Sequence, residues 1–403
     1  MTSSSDLVFN RGFILIMAIT CGVCAGANYF NQPIIYQIAN SLAITVEQAA
    51  VTIVISQFAY ALGLIVLIPL GDKFSKRKLV LGLMVISAIA QVGIGFTSQL
   101  CWLYVLTFIA TTFSIASQVL IPFISSLASP EKMSQIIGTL MSGLLLGILL
   151  ARAYAGLVST YADWHTVYLT SGILLFFLTA ILYVKLPIPK PNPPINILSV
   201  YQSMWQIAIN NPHLIRRGLV GALAFGSVIL GLSTMAFILA NPPYSYSELA
   251  IGFFGLVGGA GVFATKWAGH QISLNKENFI AYLGGAALIT HWVLLYFAKQ
   301  SIVFYVFGLV LGYFAISLIH VLNQSLVLRH AGETRSRKHS IYMFMYFMGA
   351  ALGSSAGLSA WAYWGWQGCC VMGLLFSVSM LIIDRLDYHL QKKAAFTSIK
   401  NQH

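Results

Sequence analysis

Twelve apolar stretches, each about as long as a bilayer is thick, run through most of this 403-residue sequence. Only 8% of the residues are charged, whereas a soluble protein carries roughly 25%. So few charges cannot cover a water-exposed surface, and a membrane helix needs about 20 mainly apolar residues. The sequence therefore predicts an all-α membrane protein. The predicted spans are 13–39, 47–70, 79–97, 101–128, 135–158, 166–186, 217–240, 249–268, 278–297, 301–328, 340–363 and 367–385.

One long connection divides these spans into two sets of six. It covers residues 187–216, and five prolines lie near its start, which favours a linker over a further span. We predict an N-terminal six-helix bundle over 1–186, a cytoplasmic linker over 187–216, and a C-terminal six-helix bundle with a short cytoplasmic tail over 217–403. The prolines are Pro187, Pro189, Pro191, Pro193 and Pro194.

The basic residues indicate how the chain is oriented. With the N-terminus in the cytoplasm, 20 of the 22 Lys and Arg residues fall on the cytoplasmic side. Lys299 falls on the other side, and Arg152 falls within a span. Since Lys and Arg accumulate in cytoplasmic loops, both termini are predicted to be cytoplasmic, in a multi-pass protein of the cell inner membrane.

Small residues recur at four-residue spacing in the fifth span of each half. The stripe includes Gly143 and Gly147 in the first half, and Gly349 and Gly353 in the second. Such stripes let two helix backbones approach closely, and either alone is compatible with ordinary membrane packing. Because both occupy the fifth position of a six-span set, they favour duplicated halves, as in transporters, and we include these glycines among the predicted gating residues.

The loop between the second and third spans carries an acid among several bases. Asp72 and Lys73 precede Arg77 and Lys78 in a pattern that resembles the major facilitator superfamily signature, with Ser75 where Gly is usual. A carboxylate among cations at helix ends can form contacts that latch the cytoplasmic side closed. The other interpretation is a basic loop that only sets topology.

The resemblance extends through the first half, over 27–33, 118–122 and 142–152, to bacterial twelve-span drug–proton antiporters and sugar exporters. It implies two pseudo-symmetric six-helix bundles around a central cavity, working by alternating access. Substrate identity diverges widely within such families, so it is not carried over.

A polar stripe marks the first span. Asn28, Asn31 and Gln32 share one helix face, and Pro33 frees a backbone carbonyl one turn earlier. We predict a substrate-binding stripe beside a loosened, gating segment. The alternative is that these amides only hold helices together.

Arg152 is the one charge predicted well inside a span. Such a residue is costly and usually faces the interior or a water cavity, where it could attract an anionic group of the substrate. Snorkelling to the outer interface is the alternative. All ten acids fall in loops, tails or helix ends, which disfavours a lipophilic cation as substrate and favours a neutral or anionic solute.

Further candidate substrate-binding residues are polar side chains in spans predicted to line the cavity. His320 is the available titratable group for proton coupling. One turn from it lie Asn323 and Gln324, and the other two candidates are Gln57 and Gln118.

These features predict a secondary-active transporter of a small amphiphilic or anionic solute, with proton-linked export as the first choice. Import of an organic acid or siderophore-like chelate is the second choice, and a non-transporting membrane sensor is the alternative of another class. No acids, His or Lys gather at one interface, so no enzyme and no catalytic residue are predicted. The expected partners are a small-molecule substrate, the lipid bilayer and protons. The protein is predicted to be a monomer, and no cofactor, metal or nucleic acid is predicted to bind.

Overall fold

The computed structural model describes residues 11–125, 127, 130–188, 196–329 and 334–400. Within these ranges the chain is α-helical with short breaks and contains no strand. The linker prolines Pro189, Pro191, Pro193 and Pro194 lie outside the described residues. The helices are α1 (Arg11–Gly26), α2 (Asn31–Leu42), α3 (Val46–Val66), α4 (Leu70–Lys73), α5 (Lys76–Ile94), α6 (Leu100–Phe113), α7 (Ala116–Ser125), α8 (Pro130–Tyr161), α9 (Trp164–Lys185), α10 (Ile197–Asn210), α11 (Pro212–Ser233), α12 (Met235–Leu239), α13 (Glu248–Phe254), α14 (Gly259–Ser273), α15 (Glu277–Tyr296), α16 (Ile302–Leu328) and α17 (Arg335–Lys400).

Ten helices in the described part are long and apolar enough to cross a membrane, or eleven if one bent pair counts as a span. The bent pair is α1 with α2, which meet at 50°. The break between Gly26 and Asn31 lies just before Pro33, whose missing N–H cannot bond the Tyr29 carbonyl. The first predicted span is therefore present as two half-helices.

The long helix α17 contains the last two predicted spans. Gly365, with φ of 61° and ψ of −153°, breaks it. A Cβ at Gly226 would meet the carbonyl oxygen of Gly349, while Ser377 lies 3.0 Å from Ser227, the next residue on α11. A straight helix would hold residues 28 positions apart at about 42 Å, so the chain must reverse at Gly365. Counting this reversal and the bent pair gives the twelve predicted spans.

The chain forms two compact units. The first is Met1–Tyr201 with Met235–Leu256, and the second is Gln202–Thr234 with Val257–His403. The end of the seventh span, α12, and the start of the eighth, α13, thus pack within the first unit. The predicted domain boundaries around 187–216 stay a prediction.

In the first unit, the glycine stripe of α8 packs directly on α1. A Cβ added at Gly147 would overlap the backbone of Gly22, and one added at Gly143 would overlap that of Ala18. Only glycine permits this approach, because the obstructing atoms are backbone and cannot rotate away.

The second unit repeats this arrangement with its own glycines. A Cβ at Gly349 would overlap the backbone of Ala222 on α11, and one at Gly353 would overlap that of Gly226. In each unit, therefore, the fifth span of a half packs on the first span of the same half. This shared packing agrees with the duplicated halves that the two stripes predict.

Candidate functional site

Arg152 on α8 is the centre of a polar cluster in the first unit. Its side chain is buried, with the residue only 1% exposed. The Nε group donates a hydrogen bond to Oε1 of Gln32 at 2.6 Å, and the guanidinium carbon lies 4.6 Å from the ring centroid of Tyr29. Among the described residues, no carboxylate pairs with Arg152, and its Nη1 group has no acceptor.

Helix α13 and the residue that follows it, Gly255, cover this arginine. A Cβ at Gly252 would lie 2.5 Å from the Arg152 carbonyl oxygen, and one at Gly255 would lie 2.9 Å from the Arg152 side chain. These two glycines leave space for an arginine that could not otherwise fit beneath the helix. The guanidinium is thus enclosed in the unit, where its electrostatic interactions are stronger than in water.

The predicted stripe of the first span is partly bonded and partly unsatisfied. The amide nitrogen of Asn31 donates to the hydroxyl oxygens of Thr52 and Ser56, both at 3.2 Å. Asn31 Oδ1, Asn28 Oδ1 and Gln32 Nε2 are buried and have no partner in the part of the chain described. Asn31 therefore holds two helices together, as the alternative interpretation expects, while its neighbours retain bonding capacity for water or a solute.

The amides of α3 and α7 extend the cluster. Gln57 is fully buried, and neither of its amide atoms is bonded within the described residues. Gln118 donates from Nε2 to the Tyr60 hydroxyl at 3.3 Å. Gln118 on α7 is thus bonded to Tyr60 on α3, the helix that also carries Gln57.

Sequence reasoning missed both tyrosines. Tyr29 lies inside the polar stripe of the first span, and Tyr60 lies three residues after Gln57, on the same helix face. Their spacing from the predicted amides was the available signal. Because tyrosine combines an apolar ring with a hydroxyl, it can contact both apolar and polar groups.

The second unit brings together the three candidates of the tenth span. His320 Nδ1 lies 3.1 Å from the Tyr342 hydroxyl, and its Nε2 lies 3.0 Å from Gln324 Nε2. Since an amide nitrogen only donates, His320 Nε2 accepts there and Nδ1 carries the proton. Asn323 Oδ1 accepts from Arg217 Nη1 at 3.4 Å, so the polar chain continues onto α11.

That chain ends in a buried ionic cluster that sequence reasoning missed. Arg217 donates from Nε to Asp387 at 2.6 Å and from Nη1 to Asp384 at 2.7 Å, and all three residues are buried. From the sequence, Arg217 is the first residue of the seventh predicted span, Asp384 lies at the end of the twelfth, and Asp387 lies in the tail. Asn211, which caps α11 by accepting from the Leu214 N–H at 3.0 Å, signals a helix start that places Arg217 inside the second turn.

That the loop between the second and third spans acts as a latch stays a prediction. Arg77 donates to the Tyr183 carbonyl, and its guanidinium lies 5.4 Å from the ring of that tyrosine at the end of α9. Lys73 lies 5.5 Å from the ring of Phe74. The side chain of Asp72 lies outside what the structure describes, and Lys78 lies in the first turn of α5.

Comparison with known proteins establishes the family. The profile of the Major Facilitator Superfamily matches residues 17–354. The uncharacterized transporter YgaY of Escherichia coli O157:H7 is 32% identical over 381 residues, covering 94% of this chain and 97% of that protein. The probable transporter SCO4007 of Streptomyces coelicolor is 23% identical, covering 90% of this chain and 84% of that protein. The chain belongs to the Major Facilitator Superfamily and is a membrane transporter, not an enzyme.

Solved structures agree on the fold. The nucleoside transporter NupG superposes with a TM-score of 0.75 at 13% identity, covering 94% of this chain and 100% of that one. A bacterial homolog of the human lysosomal transporter Spinster, in an inward-facing and occupied conformation, superposes with a TM-score of 0.72 at 14% identity, covering 97% and 98%. The grouping with drug–proton antiporters and sugar exporters stays a prediction, since none of these names specifies it.

Proposed function

We propose that this transporter moves a small anionic or amphiphilic solute across the bacterial inner membrane, by alternating access and with proton-linked export. The observation that carries the proposal is Arg152, a buried cation without a carboxylate partner among the described residues. An uncompensated buried charge is strongly disfavoured, so such a residue persists where something supplies the missing negative charge. A carboxylate or phosphate of the solute meets that need.

The surroundings of Arg152 suit the rest of such a solute. Gln32 and Tyr29 hold the guanidinium from two sides and leave Nη1 for an acceptor. The unsatisfied amide atoms of Asn28 and Gln57 offer further acceptors and donors. Because buried polar atoms in proteins are nearly always bonded, these atoms mark where water or solute binds.

Arg152→Gln tests this proposal. Gln keeps a hydrogen-bonding side chain but removes the charge, so uptake of an anionic solute into proteoliposomes should fall by about 10- to 100-fold, from the 1.5–3 kcal/mol of a hydrogen bond to a charged group. The measurement uses a panel of carboxylates, organic phosphates and anionic dyes.

Lys299→Gln is the matched control, since it removes one positive charge at an exposed position between two predicted spans. It should leave uptake unchanged. If Arg152→Gln leaves the uptake of every anion in the panel at the wild-type level, the anionic substrate class is wrong.

Proton linkage is assigned to His320. Its imidazole accepts from Gln324 at Nε2 and donates to Tyr342 at Nδ1, so protonation at Nε2 requires the Gln324 amide to turn and present its oxygen. A proton would thus exchange one hydrogen-bonding arrangement of His320, Gln324 and Tyr342 for another. Such a two-state element is what coupling to a pH gradient requires.

His320→Gln should uncouple solute transport from the pH gradient. We expect the variant to exchange labelled solute across vesicles at equal pH, but to lose accumulation driven by an imposed gradient. His389→Gln, which removes an exposed histidine, should retain both activities. Gradient-driven accumulation by His320→Gln at the wild-type level would exclude this histidine as the coupling site.

Sidedness separates export from the second candidate, import of an organic acid or siderophore-like chelate. Vesicles of known orientation, with both termini predicted on the cytoplasmic face, show which gradient direction drives the solute.

A further inference from the structure

A second polar site lies in the second unit, beside the ionic cluster of Arg217, Asp384 and Asp387. It is a cavity of about 490 Å³ among the ends of α11, α15, α16 and α17 that are predicted to face the cytoplasm. Five Lys and Arg residues line it against three acids, giving an excess of positive charge. The basic residues are Arg217, Arg329, Lys338, Arg385 and Lys392.

The three acids of the cavity are already engaged. Asp384 and Asp387 hold Arg217, and Asp387 also accepts from Arg216 at 2.7 Å. Glu277 pairs with Arg329. Lys338 and Lys392 lack such a carboxylate in the described ranges, so the charge left over in the cavity is positive.

Arg385 adds donors that have no acceptor. Its guanidinium lies 3.8 Å from the ring centroid of Tyr282 and donates from Nη2 to Asp384 at 2.5 Å. The Nε and Nη1 groups are buried and have no partner among the residues described. The guanidinium is therefore held in place by a ring and a carboxylate while two charged N–H groups stay unsatisfied, which is costly unless an acceptor binds there.

We propose that this cavity binds a phosphate group at the cytoplasmic face. Phosphate offers several acceptor oxygens, which suit the fixed fork of an arginine and the mobile ammonium groups of two lysines. The volume lies within the range of small-molecule sites, and basic pockets between the cytoplasmic ends of membrane helices bind anionic lipid head groups. The phosphate belongs either to such a head group or to a free anion, and the chemistry is the same.

The test uses the full chain purified in detergent and followed by thermal unfolding. Phosphatidylglycerol, phosphatidylcholine and inorganic phosphate are titrated separately at constant ionic strength. Saturating phosphatidylglycerol should raise the unfolding midpoint by about 3 °C, because a ligand that binds only the folded state stabilises it. The lipid of neutral net charge should not do so.

Lys338→Gln with Lys392→Gln should weaken this binding roughly 30-fold, from about 1 kcal/mol for each lysine. The matched control pair is Lys185→Gln with Lys266→Gln, at exposed positions outside the cavity, and it should bind as the wild type does.

Arg385→Lys keeps the positive charge but removes the planar pair of N–H donors of the guanidinium, so it should also weaken binding. A midpoint shift with inorganic phosphate alone would assign the site to a free anion. No shift with either anion, or equal weakening in the control pair, would overturn the proposal.

Discussion

Arg217→Met is expected to lower the free energy of unfolding by about 3–5 kcal/mol, the usual cost of removing one partner from a buried ion pair. The substitution keeps an apolar stem of similar length but leaves Asp384 and Asp387 buried beside it. Both carboxylates would lose their closest fully buried cation. Thermal and denaturant unfolding of the purified protein would report the loss.

Arg216→Met is the control, because Arg216 is the next residue on α11 and also bonds Asp387. Its side chain is 24% exposed, so its loss should cost about 1 kcal/mol or less. Combining Arg217→Met with Asp384→Asn and Asp387→Asn should recover much of the stability, since no buried charge is then unpaired. Equal losses from Arg216→Met and Arg217→Met would contradict the prediction, because the buried arginine would then contribute no more to stability than its partly exposed neighbour.

The fold could be predicted because its main determinant is local. Hydropathy and length find membrane spans one at a time, without knowing which helices touch. The proline-rich linker and the glycine stripes then supported two halves, while the charge bias predicted the orientation. The breaks at Gly365 and before Asn31 are also local, since the first lies between two predicted spans and the second precedes Pro33. The packing of α12 and α13 within the first unit needed the structure, because it depends on contacts between helices that are distant in sequence.

The candidate site could be predicted only in part, for a related reason. Arg152 and the amides were visible because polar residues are rare within apolar runs. Tyr29 and Tyr60 were not visible, since tyrosine is common in membrane helices and only its neighbours give it a role. Arg217 and Asp387 were missed because each lies near a predicted span end, where a charge is expected to reach water; only their mutual contact shows that both are buried.

Gly147→Leu should prevent close packing of the first unit. The added side chain would have to occupy the position of the Gly22 backbone on α1, and backbone atoms cannot move aside without separating the helices. We expect a loss of about 3 kcal/mol or more, at the upper end of overpacking costs. The measurement is the unfolding midpoint, together with the yield of monodisperse protein after purification.

Gly138→Leu on the same helix is the matched control. A Cβ at Gly138 meets nothing within 4 Å, and the residue is exposed. The same substitution there should be neutral or should stabilise by about 1 kcal/mol, because glycine is a poor helix residue. If the two variants unfold at the same midpoint, the contact between α1 and α8 is not as close as described.

Helix α17 packs on α11 through Gly353 in the same way, so Gly353→Leu should lower the unfolding midpoint as Gly147→Leu does. The comparison tests whether both halves depend on the same close helix packing.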